Sequence, residues 1–132
     1  MRALAVVLLV GCGGSPSAVG VWTGRVTWVQ ACDGNTGGHG QVDQTWTIVS
    51  TMVGVAATDT TDPCTPLDGV ASGDAIEFAR RACPPGVFAS SEFSGSFVIT
   101  SDGSARAFFV RDQYRADSTH CRMVSAGPFA RK

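Results

Sequence analysis

The sequence predicts an all-β domain: an antiparallel up-and-down meander of about 7–8 short strands, closed into a small barrel. Three observations carry that prediction. Gly, Ser, Thr and Val are plentiful, whereas beyond the first ten residues Leu occurs only at Leu67 and Lys only at Lys132; such a composition disfavours helices and suits strands and turns. Apolar and polar residues alternate with a period of two in one segment after another. The segments are separated by short runs of Gly, Pro, Asp and Ser, of the length and chemistry of hairpin turns. Closing the meander removes its exposed edges; a two-sheet sandwich is the alternative. A chain of 132 residues has room for one core.

Residues 1–11 read as a signal peptide, with basic Arg2, an apolar run from Ala3 to Val10 and a small residue, Gly11, before Cys12. The run is too short to cross a bilayer as a helix, which takes roughly 20 apolar residues. Leu9-Val10-Gly11-Cys12 resembles the lipobox of bacterial lipoproteins. That resemblance implies cleavage before Cys12, acylation of Cys12, and anchoring of the mature protein in a membrane. It also implies, from Gly13 rather than Asp after the lipid site, the outer membrane if the host is Gram-negative. Residues 12–18 are small, polar and Pro-containing, which suits a tether. Residues 19–132 then form the single domain.

The first strand is expected over Val19 to Ala31, with Trp22, Gly24, Val26 and Trp28 on one face and Thr23, Arg25 and Thr27 on the other. Its start, Gly20-Val21-Trp22, resembles the Gly-x-Trp signature of lipocalins and related small barrels. The resemblance implies a Trp that plugs one barrel end, often beneath an Arg from a late strand, and an interior that holds a small apolar ligand. The run Asp33 to Gly40, rich in Gly, reads as a loop. The second strand is expected over Gln41 to Val49, with Val42, Trp46 and Ile48 inward. A third, over Met52 to Thr58, follows a weak turn at Ser50-Thr51 or continues the second. Asp59 to Pro63 is a turn with a Pro stop. A modest fourth strand runs from after Cys64 to Ala71, and Ser72-Gly73-Asp74 turns into a fifth over Ala75 to Cys83, which a helical turn could replace. Glu92 to Thr100 and Ala105 to Tyr114 form a hairpin about Ser101–Ser104, and Ser118 to Phe129 is the last strand.

The cysteines follow from this count. There are five, and if Cys12 carries lipid, Cys32, Cys64, Cys83 and Cys121 remain, an even set that in an exported chain reads as two disulfides. They are too far apart in sequence to resemble paired metal ligands. The meander places all four at one end of a barrel, where the first and last strands are neighbours. That favours Cys32–Cys121 and Cys64–Cys83, with the other connectivities open.

Charge and motifs exclude several classes. The formal net charge is −1, and the arginines, nine of the ten basic residues, are scattered singly apart from Arg80-Arg81, so no positive field suited to nucleic acid is present. Serines abound without a Gly-x-Ser-x-Gly elbow, and no catalytic set is evident; a non-enzymatic protein without a cofactor is expected. His39 and His120, near Asp33, Asp43, Asp59, Asp62 and Asp117, are the metal candidates, although Asp in turns ordinarily caps backbone amides. Trp22, Trp28, Trp46, Phe78, Phe93 and Phe97 all face inward on the alternation. They form either a packed core or the lining of a small apolar pocket, the gaps being left by Gly24, Gly54, Gly95 and Ala107. Two functions follow: an interaction or structural module that meets an envelope protein through the loops Asp33–Gly40 and Asp59–Pro66, or a carrier of a small apolar ligand. A filled barrel favours the first and an internal apolar void the second.

Overall fold

The computed structural model describes residues 17–132, Val87 excepted. The expected signal peptide, residues 1–11, and the expected lipid site Cys12 lie outside the described residues. Eight antiparallel strands follow one another around a closed barrel: β1 (Gly20–Cys32), β2 (Asn35–Thr51), β3 (Gly54–Thr58), β4 (Leu67–Ser72), β5 (Ala75–Cys83), β6 (Ser90–Ser101), β7 (Ser104–Tyr114) and β8 (His120–Arg131). β8 pairs back onto β1 to close the ring. Among the described residues no helix is long and apolar enough to cross a membrane.

The chain enters at Ser17 and ends at Lys132 at one end of the barrel, the near end, together with the β2–β3, β4–β5 and β6–β7 turns. The far end carries the β1–β2 turn, the segment Asp59–Pro66 and the β5–β6 and β7–β8 connections. Turn chemistry places two hairpins where the sequence predicts them, at Gly73 and at Asp102-Gly103, whereas the β2–β3 turn falls at Met52-Val53 and not at Ser50-Thr51, because Ser50 and Thr51 are paired with Val55 and Gly54. Gly73 takes the left-handed φ of 60° that the tight β4–β5 turn needs. Residues 75–83 are a strand throughout, not a helical turn, because Ile76 and Phe78 alternate into the core.

Two expectations are corrected, one at the start of β2 and one just before β1. The glycine-rich run is not a loop: only Asp33 and Gly34 turn, and Asn35 to Gly40 belong to β2, paired with β1 except at Gly37, where the register shifts. Ala18 is not tether but core, 8% exposed, with its carbonyl accepting the indole N–H of Trp22 at 2.8 Å.

The barrel is filled. Trp46 stacks on Phe109 with ring centroids 5.0 Å apart, Phe93 lies 5.3 Å from Phe109, and Phe78 6.3 Å from it. Nearer the chain entrance, Trp22 meets Phe97 edge-on at 5.2 Å, and Phe97 meets Phe129 at 5.9 Å. The glycines leave no gaps. A Cβ on Gly95 would stand 2.4 Å from the Phe109 ring, and one on Gly24 2.2 Å from the Pro128 carbonyl oxygen. Gly54 is closed off by the Gly69 carbonyl at 2.2 Å, and Ala107 is buried. Small residues on one strand receive large rings from the next, the interlocking that close packing requires.

Candidate interaction surface

Strand lengths create the surface. β3 pairs with β2 only from Thr47↔Thr58 to Thr51↔Gly54, whereas β1 pairs with β2 along its whole length. The far half of β2, residues 35–46, therefore has a ladder partner on one side only. β4 is equally short: it pairs with β5 no farther than Gly69↔Phe78, so β5 beyond Phe78 pairs only with β6. The far half of the barrel is a curved sheet with two edges, β2 and β5.

One edge is covered. The segment 59–66 lies against β5, joined to it by the Cys64–Cys83 disulfide and by the Arg81 guanidinium, which donates to the Pro66 carbonyl. Asp59 accepts from the Thr61 amide and hydroxyl, Asp62 accepts from the Cys64 amide, and the Thr65 hydroxyl donates to the Asp59 carbonyl at 2.9 Å. Arg111 reaches out from the interior to pair with Asp62, its guanidinium 4.6 Å above the Phe93 ring. Beneath the segment is a surface cavity of about 210 Å³ lined by Pro63, Cys64, Cys83, Phe88, Arg111 and Gln113. Two polar side chains enter its lining: the Arg111 Nε is buried without a partner, and the Gln113 carbonyl oxygen accepts from Gln30 at 2.9 Å.

The other edge is open. Among the described residues, no backbone group of 37–44 bonds outside the β1–β2 ladder. His39, Gln41, Val42, Asp43 and Thr45 are exposed. Val42 shares the face of Val26 and Trp46, yet it is 44% exposed. The alternation puts it on the inner side, but β3 has already ended, so nothing covers it. Trp28 is likewise half-buried instead of core, its indole packed over Gly40 and Gly38. The open edge is thus bordered on its inner side by an apolar ledge of Trp28 and Val42. On the outer side Arg25 and Asp43 pair at 2.7 Å, and the guanidinium lowers the carboxyl pKa of Asp43 from its usual value.

The remaining candidates are dispersed. Cys32 bonds Cys121 and Cys64 bonds Cys83, the pairs that neighbouring strands favour. Trp22, Trp46, Phe78, Phe93 and Phe97 are all buried in the core, packed ring against ring. His39 faces outward on β2, opposite Val29. His120 lies on β8, stacked on Tyr114 at 4.9 Å, with its Nε2 2.8 Å from Asp112 Oδ1. Asp33 accepts from the His120 amide and so ties the β1–β2 turn to the start of β8, and Asp117 caps its own turn by accepting from the Thr119 amide. Among the described residues no three His, Cys, Asp or Glu gather as a metal site.

One cluster escaped the sequence reading. Asp112, on the outer wall, is buried beneath Arg122, which donates to both its oxygens at 2.8 and 3.2 Å, and Arg80, which also bridges to Glu92. Arg122 and then His120 hold the Asp112 carboxyl below its ordinary pKa. The residues come from β5, β6, β7 and β8, and only the cross-strand register Glu92↔Asp112↔Arg122 reveals them. No family model and no curated protein matches this chain.

Proposed function

We propose that the protein is an envelope lipoprotein, anchored through Cys12, whose barrel is a non-enzymatic interaction module. It binds an extended segment of an envelope protein as an added strand along the open edge of β2. The observation that carries this reading is the unpaired run 37–44 beside the Trp28–Val42 ledge. A sheet edge offers a partner backbone a ready row of donors and acceptors, and adjacent apolar positions select its side chains. The two disulfides agree with an oxidising compartment outside the cytoplasm. Gly13 after the lipid site favours the outer membrane in a two-membrane envelope. The filled interior supports the module over a ligand carrier.

The test uses the full chain and a library of linear twelve-residue peptides. Selected peptides should slow hydrogen exchange at the amides of 37–44, and Val42→Asp should abolish the binding. Peptides that protect only residues 59–66 or 84–89 would overturn the edge assignment. The mass of the mature protein decides the anchor separately: acylated Cys12 at the N-terminus is expected, and an unmodified Cys12 overturns it.

A further inference from the structure

The near end carries the most exposed apolar residues of the domain. At the β2–β3 turn, Met52 is 103% and Val53 88% exposed, and on the adjoining walls Val70 is 63% and Val49 48% exposed. No hydrogen bond or packing partner within the domain accounts for Met52 and Val53, since the turn needs only a reversal between Thr51 and Gly54. The chain enters at this same end. Ser17, Ala18 and Val19 share with Ser50, Val55 and Ala71 the rim of one open cavity of about 260 Å³, floored by Ile76 and Ile99. Cys12 and Ser17 are five positions apart in sequence, and five residue steps span at most roughly 18 Å.

We infer that Met52 and Val53 form a second membrane contact, inserting into the bilayer surface beside the lipid on Cys12. The inference rests on the anchor reading. A lipid on Cys12 holds the near end within a short chain's reach of the bilayer, so the occupant facing the tip is the lipid surface itself. The contact is apolar, because Asp74 and Asp102 at this end offset Arg131 and Lys132. Arg131 is also occupied, donating to the Asp102 and Val19 carbonyls. Two attachments on one body act together, because the lipid on Cys12 holds the near end at the surface and presents the tip to the bilayer at a high effective concentration. The arrangement fixes orientation as well: it points the far end, with the open edge of β2, away from the membrane.

The experiment places a new indole at each end of the full-length acylated protein, Met52→Trp at the tip and Pro85→Trp at the far end. Each variant is reconstituted in phosphatidylcholine vesicles with and without bromine-labelled acyl chains. Trp22, Trp28 and Trp46 are present in both variants and give a common background. The expected result is a blue shift and loss of emission by bromolipid for Met52→Trp, with no loss for Pro85→Trp. Equal emission from both, in protein that floats with the vesicles and carries acylated Cys12, overturns the second contact and leaves the anchor standing. Protein that does not float and whose Cys12 is unmodified overturns the anchor and this inference together.

Discussion

The indole of Trp28 occupies the space that a side chain on Gly40, its cross-strand partner, would need. A Cβ built there would stand 2.9 Å from the Trp28 Cζ2 and 3.0 Å from its Cε2 and Nε1. Gly40→Ala therefore lifts the indole off the strand, and because Trp28 is half-buried it can move. The expected cost is about 1 kcal/mol of unfolding free energy, in the ordinary range for a single substitution. A red-shifted emission and greater accessibility to a soluble quencher should accompany it. Unchanged Trp28 fluorescence would show that the indole does not depend on that glycine.

The same pair explains what the sequence disclosed and what it withheld. The strand alternation was legible because residues two apart share a face; Trp22, Trp46, Ile76, Phe78, Phe93 and Phe97 are buried as the pattern requires. The glycines of 37–40 read as a loop because glycine marks turns in isolation. Their use under Trp28 depends on a contact with another strand, which no local pattern encodes. Val42 obeys the alternation and is still exposed, because its burial depended on how far β3 extends. Phe108-Phe109 must face opposite ways, but which one enters the core depends on the register with Gly95, where the Phe109 ring fits.

Trp22 and Arg131 close the near end. Trp22 is fully buried, and the Arg131 guanidinium lies 4.3 Å from its ring centroid while donating to the Val19 carbonyl at 2.6 Å. Trp22→Ala removes a large buried ring and should cost about 3–5 kcal/mol. Arg131→Met keeps much of the apolar stem and loses the cation over the ring, worth about 0.5–2 kcal/mol at such sites. Denaturant unfolding followed by circular dichroism measures both. Equal losses from the two substitutions would mean that the charge, and not the ring, holds this end together.

Asp112 predicts an acid limb of stability. Its folded-state pKa lies below the ordinary carboxyl value, chiefly through the hydrogen bonds from Arg122. The ionised form is thus favoured by folding, and its contribution is fully present above the unfolded pKa. It is lost as the pH falls from about 4 down through the lowered folded value. Asp112→Asn should cost about 1.5–3 kcal/mol at neutral pH, the worth of a hydrogen bond to a charged group. It should also flatten the decline below pH about 4. Asp43, paired in the open with Arg25, shifts the same way, but salt screens an exposed pair. The limb that survives in high salt is the one assigned to Asp112, and a limb unchanged in Asp112→Asn would refute the assignment.

The two disulfides should differ in kind. Cys32–Cys121 joins the first and last strands across a sequence separation of 89, and in the chain-entropy picture it stabilises by about 4–5 kcal/mol. Replacing both cysteines by Ala lowers the stability of the whole barrel, so hydrogen exchange should quicken in every strand that opens only by global unfolding. Cys64–Cys83 spans 19 residues, worth about 3 kcal/mol in the same picture, but its local role is larger. It binds the segment 59–66 over the β5 edge, where β4 no longer reaches. Cys64→Ala with Cys83→Ala should loosen that cover and quicken exchange at residues 79–83 beyond the global effect. Residues 37–44 of β2, with no such cover to lose, should show the global effect alone. Equal local acceleration on β2 and β5 would mean that the segment shields both edges, and the open edge of β2 would then be no binding surface.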